Sequence, residues 1–210
     1  MSHDDFATEP VPGLPERPPK GELILWQGRP DTLALARSSL GLSWVAGYFA
    51  VLTAWRIGVS ATDIGLWAAL PLGLPFVGLG AAACGLILLV SWAQARATLY
   101  TITTDRVAMR IGAALTLTLN LPFARLASAD LGAEPGGTGT LALRTLGETR
   151  LSYLVLWPHV RPWRMKRTEP ALRCIPEPDR VAGILARAAE TKITRPEIAP
   201  AAAAAPVAAE

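Results

Sequence analysis

Side chains able to do chemistry concentrate in residues 156–167, which hold Trp157, His159, Arg161, Trp163, Arg164, Lys166 and Arg167 together with Pro158 and Pro162. Each proline fixes φ near about −65° and removes a backbone donor, which predicts a stiff extended loop and not a strand interior. Trp157 and Trp163 offer broad amphipathic surfaces, while Arg161, Arg164, Lys166 and Arg167 can pair with phosphate or carboxylate. Two binding uses fit: a lipid-facing anchor with tryptophans at the bilayer interface, and a hot spot for a partner subunit, where Trp and Arg are over-represented. A neutral His159 could also serve as axial ligand to a magnesium tetrapyrrole or haem. The plain alternative has Trp157 filling a core, the prolines shaping a corner and His159 bonded to backbone. The residues alone leave these readings open.

Elsewhere the chain gives little that points to an enzyme. It has two histidines, His3 and His159, and no GxSxG, no HExxH, no phosphate-binding glycine loop and no pair of carboxylates that sequence nominates. Gly136, Gly137 and Gly139 make a glycine-rich stretch, but it lies between strand-like runs and reads as a hairpin loop. The two cysteines, Cys84 and Cys174, have no metal-ligand spacing and are not expected to pair. A net charge of +3 is too modest to point to nucleic acid, and beside a bilayer it suits anionic head groups better.

The elements that must position this loop begin with a stretch, 64–94, that contains no charged side chain and is dominated by Leu, Ala, Gly, Val and Ile. A bilayer core needs roughly 20 mainly apolar residues in a helix, and a charge at its centre costs at least about 2.5 kcal/mol. A second uncharged stretch, 38–55, lies between Arg37 and Arg56 and holds Trp44, Tyr48, Phe49 and Trp55. Neither stretch has the position or the following small-residue site of a signal peptide. Two spans are expected, over 38–56 and 72–94, within a membrane region 38–96, with 66–72 at the far interface or in a kinked entry turn. Splitting 64–94 at Pro71 and Pro75 would leave pieces of about 21 Å, short for a core of about 30 Å, although three spans stay open. Gly78, Ala82 and Gly85 are small enough to let a helix approach closely, whether the first span or a partner's. Arg17, Lys20, Arg29 and Arg37 precede the spans and Arg96, Arg106 and Arg110 follow them, while the connection carries only Arg56 and Asp63. Positive residues stay inside, so both termini and the soluble domain are expected on the cytoplasmic side of the inner membrane.

Around the spans, residues 1–20 are polar and proline-rich and read as a disordered arm, 21–37 as a juxtamembrane strand or anchor, and 192–210 as a disordered Ala/Pro tail. From 97 to 191 the pattern is that of one compact domain. Alternating, β-branched runs at 98–103 and 106–111 form a hairpin about Thr104 and Asp105. Further strands are expected at 115–121, 126–131, 140–144, 150–156 and 171–175. A helix over 180–191 carries Val181, Ile184, Leu185 and Ala188 on one face. The fold class is therefore α+β: a transmembrane helical hairpin followed by a small antiparallel β-barrel closed by a C-terminal helix.

Residues 100–115, 120–122, 156–163 and 170–176 closely resemble the PuhB-type photosynthetic complex assembly proteins of purple phototrophic bacteria, and 22–30 is similar to their N-terminal signature. The Trp-Pro-His-Val-Arg-Pro-Trp run at 157–163 is the specific part. Tyr100, Ile102, Thr103, Asp105 and Arg106 match the pattern of the wider group of membrane-tethered bacterial pleckstrin-homology domains. The resemblance implies a pleckstrin-homology-like domain and a non-enzymatic assembly factor for the photosynthetic reaction centre and core light-harvesting complex, in the photosynthetic membrane. The implied partners are subunits of those complexes and membrane lipids. A bacteriochlorophyll contact and homodimer formation stay open, and no other cofactor or metal is expected. Trp157, Arg161, Trp163 and Arg164 are then the expected partner-facing set, and Gly78, Ala82 and Gly85 the membrane contact. A membrane-tethered lipid or envelope sensor is the second reading, which the basic residues beside Trp suit equally.

Overall fold

A computed structural model describes residues 11–14, 16–113, 116–134, 136–147 and 151–194. Of the expected arm 1–20 and tail 192–210, residues 1–10 with His3, residue 15 and residues 195–210 lie outside the described residues; Leu14 is fully buried and the Pro12 carbonyl accepts Gln27 Nε2 at 3.0 Å, so this part of the arm docks on the fold, and 192–194 continue the last helix.

The chain opens with β1 (Ile24–Gly28), then α1 (Thr32–Ser38), and two long helices, α2 (Leu42–Ile64) and α4 (Leu74–Ala97), joined by the short α3 (Leu66–Ala69) and a 3-10 turn over Leu70–Gly73. Asp31 caps α1 by accepting the amide of Ala34 at 2.7 Å. Among the described residues, α2 and the run Leu66–Ala97 are long and apolar enough to cross a membrane. They pack on each other through glycine: a Cβ on Gly80 would fall 2.8 Å from Phe49, and one on Gly73 2.7 Å from Ile57. Their outward faces leave Trp44, Tyr48, Val51, Trp55, Leu79, Leu86 and Leu89 exposed, which water does not favour over so large a patch. The first helix is longer than its expected span: it runs through Arg56 and Asp63 to Ile64, and the reversal falls at Gly65, whose φ is +83°. Arg56 is exposed, and its long stem can carry the charge toward an interface without interrupting the helix.

After α4 come β2 (Leu99–Thr103), β3 (Arg106–Ile111) and β4 (Leu117–Pro122), and then β5 (Leu126–Ala133) and β6 (Thr138–Thr145). The helical turn α5 (Tyr153–Leu156), β7 (Ala171–Pro176) and α6 (Pro178–Thr194) complete the chain. The strands form an antiparallel four-stranded sheet, β1-β2-β3-β4, and an antiparallel three-stranded sheet, β5-β6-β7. Between them Tyr100, Ile102, Val107 and Met109 meet Leu141, Leu143, Leu172 and Ile175, and α6 adds Val181, Leu185 and Ala188. The last three are spaced by four and three residues, one stripe of a helix.

Three expectations are corrected. The sheets stay open and do not close into a barrel. Residues 150–156 are not a strand: Arg150 lies outside the described residues, and Tyr153–Leu156 is a helical turn. The amides of Leu156 and Trp157 bond locally, to the Ser152 and Tyr153 carbonyls, and so are spent within the turn and not on a neighbouring strand. Most consequentially, the segment read as juxtamembrane belongs to the domain: β1 pairs with β2, with Gly28 opposite Tyr100 and Ile24 opposite Thr103. The helical hairpin is thus an insertion between two hydrogen-bonded strands. Paired strands share one side of any membrane, so only an even number of crossings is compatible with this sheet.

A soluble fragment that starts at residue 97 lacks β1 and the packing of Trp26 on the core. It should be less stable, by about 2 kcal/mol or more, than a fragment in which residues 21–30 are joined by a short turn directly to residue 98. Thermal unfolding followed by circular dichroism of the two fragments measures the difference.

Candidate functional site

The Trp-Pro-His loop leaves β6 and returns at β7, and its two ends are fixed by different chemistry. At the base, His159 is 1% exposed and both ring nitrogens are engaged: Nδ1 lies 2.6 Å from the Tyr100 hydroxyl and Nε2 3.1 Å from Thr98 Oγ1. The Tyr100 oxygen accepts the Arg173 amide at 3.2 Å, so its own proton is free to go to His159 Nδ1. That assigns the Nε2–H tautomer, donating to Thr98. Burial first, and then the Arg173 charge, push the His159 pKa down to about 3, while burial raises that of Tyr100 above the ordinary phenol range. The pair is a neutral, hydrogen-bonded core element. His159 is therefore not on a partner-facing surface, and with no open nitrogen it does not fit the role of axial ligand to a pigment or haem.

Thr98 is the first residue after α4, so this buried imidazole ties the loop base to the end of the second long helix. α1 is bound into the same junction. Ser91 donates to the Thr32 carbonyl at 2.6 Å, the Asp31 amide to the Cys174 carbonyl at 2.8 Å, and Arg173 to Ser38 Oγ at 3.1 Å and to the Val160 carbonyl at 3.2 Å. Cys174, buried, has its thiol pushed up to about 12 chiefly by that burial, and is unreactive near neutral pH.

The flank of the loop is held by ions. Glu169, 2% exposed, takes Arg161 at 3.1 Å and Arg144 at 3.4 Å, with Arg164 at 3.6 Å; Asp130 takes Arg161 at 2.8 Å and Arg144 at 3.2 Å. The bonds to Asp130 and Glu169 hold Arg161 more firmly protonated than usual. Arg161 and Arg164, expected to face a partner, reach Glu169 along the loop's flank while their side chains stay 35% and 50% exposed. What remains outward is Trp157, 41% exposed, and Trp163, 89% exposed, with Leu154, Val155 and Met165. Lys166 and Arg167 are exposed and make no ion pair among the described residues. Trp157 is thus a rim residue and not core filler. Glu169, Tyr100, Thr98 and Asp130 were missed by sequence reasoning. Glu169 carried a signal, being the lone acid between Glu148 and Glu177 in a stretch of many cations.

In the long helices, Gly78, Ala82 and Gly85 are exposed, and a Cβ on either glycine would meet nothing within 4 Å. The hairpin's own contact uses Gly73 and Gly80 instead, leaving the first set on the outer face. A cavity of about 380 Å³ between Leu25, Thr104, Ile184 and Arg187 lies at the other end of β2 and is bridged by the Lys192–Asp105 ion pair at 3.1 Å.

In comparisons with known proteins, residues 40–189 match the family model described as a bacterial PH domain. The chain is 46% identical over 201 residues, 94% of each chain, to a protein of Rhodobacter capsulatus described as an uncharacterized 23.7 kDa protein in the puhA 5' region. No solved structure matches.

An imidazole held neutral in the fold but free to protonate in the unfolded chain makes stability depend on pH. Because the folded pKa is depressed, stability is full above about 6.5 and falls as pH drops toward 3, by at most about 1.4 kcal/mol per pH unit from this group. His159→Gln should flatten that slope between pH 6.5 and 4 in denaturant unfolding, while lowering stability at pH 7.5 by about 1–3 kcal/mol through the broken Tyr100 bond.

Proposed function

The chain belongs to the bacterial PH domain family, and we propose on that premise that it is a non-enzymatic, membrane-tethered assembly factor for the photosynthetic reaction centre and its core light-harvesting complex. The observation that carries this reading is the Rhodobacter capsulatus relative, 46% identical across 94% of both chains and described as a protein in the puhA 5' region, taken with the resemblance of residues 157–163 to PuhB-type assembly proteins. The match over almost the entire length includes the inserted hairpin, so what is shared is the whole architecture and not the domain alone.

The membrane is the inner, photosynthetic one, crossed by α2 and α4, whose apolar faces find in lipid the surroundings that water does not give them. The Lys/Arg bias supports a cytoplasmic side for both ends of the hairpin and, with them, the domain. Subunits of a pigment complex are apolar helices that must be shielded until they meet. Gly78, Ala82 and Gly85, at intervals of four and three residues, give α4 an outward face on which another helix can pack at close range. Because the hairpin does not use that face, it is available to a client subunit.

Deleting the gene in the phototroph should lower the assembled reaction centre and core antenna seen by near-infrared absorption. Complementation with Gly78→Leu/Gly85→Leu should restore protein level but leave complex content low, since blocking one helix face costs about 1–2 kcal/mol, or about tenfold in partner affinity. Gly80→Leu, which collides with Phe49, should instead lower the level of the protein itself. Normal reaction-centre and antenna content in the deletion strain rejects the assembly role.

A further inference from the structure

We propose that the loop from Tyr153 to Arg167 is a second membrane attachment, an interfacial anchor that lays Trp163, Met165 and Leu154 into the head-group layer of an anionic bilayer. It rests on the reading that α2 and α4 span the membrane, and not on the assembly role.

Position is the first argument. His159 is bonded to Thr98, directly after α4, and Arg96 stacks over Trp92 at 5.7 Å, the pairing expected where a spanning helix meets the interface. Thr98 stands six residues beyond Trp92, about 9 Å of helix. Trp163 is four residues from His159, a reach of at most about 14 Å. The head-group layer on each side of the hydrocarbon is roughly 5–8 Å deep, so the loop tip is within range of it.

Composition and conformation are the second and third. Between Leu151 and Thr168 there is no acidic residue, and the nearest, Glu169, is already taken by three arginines. Lys166 and Arg167 therefore present uncompensated charge beside exposed Trp, Leu and Met, the combination that binds anionic lipid surfaces. Trp163 has φ +64°, a backbone state that a bulky residue rarely adopts, yet its ring is 89% exposed and gains no packing in return. The Glu169–Asp130 ion network and the buried His159 hold the strained tip outward on a rigid base. A membrane explains why it is held there.

The test uses the full chain reconstituted in vesicles of phosphatidylcholine with or without phosphatidylglycerol. An environment-sensitive fluorophore is placed on Trp163→Cys in a Cys84→Ala background, with buried Cys174 left in place. Reference labels sit at Leu86→Cys in α4 and at Arg187→Cys in α6, the helix that Lys192 ties to the far end of β2. With phosphatidylglycerol, the label at 163 should be quenched by head-group nitroxide lipid and be several-fold less accessible to iodide than the label at 187. Lys166→Glu/Arg167→Glu should return it to water, as should high salt. A 163 label as open to iodide as that at 187, with the 86 label quenched from within the bilayer, overturns the anchor and leaves the spans intact. A water-exposed 86 label overturns the spans and the anchor together. Shielding of 163 only after purified reaction-centre subunits are added assigns the surface to a protein and overturns the lipid assignment.

Discussion

The pairing of β1 with β2 is the constraint on which the rest of this molecule depends. About seventy residues separate Gly28 from Tyr100 in their register, and a chain that long closes onto a single strand pair only if something returns it to its starting point. The antiparallel α2–α4 hairpin does so mechanically: two rigid helices folded at Gly65 carry the chain out and bring it back within reach of β1. The helices and the sheet therefore stabilise each other's geometry. The domain is not a bead on a flexible tether, because two covalent connections and α1 fix how the sheet stands over the ends of the helices.

That rigidity is completed by polar chemistry that is buried but satisfied. Thr98, Tyr100, His159 and the Arg173 amide form one chain of hydrogen bonds running from the end of α4 through the core to β7. Each group is neutral, so none carries the desolvation cost of a buried charge. Charge is carried on the loop's flank, where the buried Glu169 and the half-exposed Asp130 between them hold Arg144, Arg161 and Arg164. The division leaves the loop with a fixed base and an apolar, cationic tip. Residues that look alike in a list, Arg161 beside Lys166 or Trp157 beside Trp163, have different jobs because they fall on different sides of that division.

An assembly role for such a body has a simple physical content. On the proposed assembly role, a domain standing over two spanning helices would offer a client an apolar helix face and a fixed platform above it, with little ordering cost for either. The small residues on the outer face of α4 are then useful because the inner face has its own glycines for packing the hairpin. The unreactive Cys174 and the neutral His159 fit a protein whose buried polar groups are structural.

Local physics made much of this chain legible without coordinates. Long apolar runs mark most of the two long helices, β-branched alternation about Thr104 and Asp105 marks the β2–β3 hairpin, and Val181, Leu185 and Ala188 mark the buried stripe of α6. These are properties of neighbours in sequence, and the forces that select them act over one or two turns. The tertiary structure alone decided the rest. That residues 24–28 pair across the hairpin, that Arg161 shares Asp130 and Glu169 with Arg144, and that His159 is consumed by Tyr100 and Thr98 all depend on partners tens of residues away. A hydrogen bond or an ion pair is defined by who stands opposite, and residue type states only what a side chain can offer. Gly78 and Gly80 are the same residue two positions apart. The helix rotation of about 200° between them is what leaves one open and sets the other against Phe49.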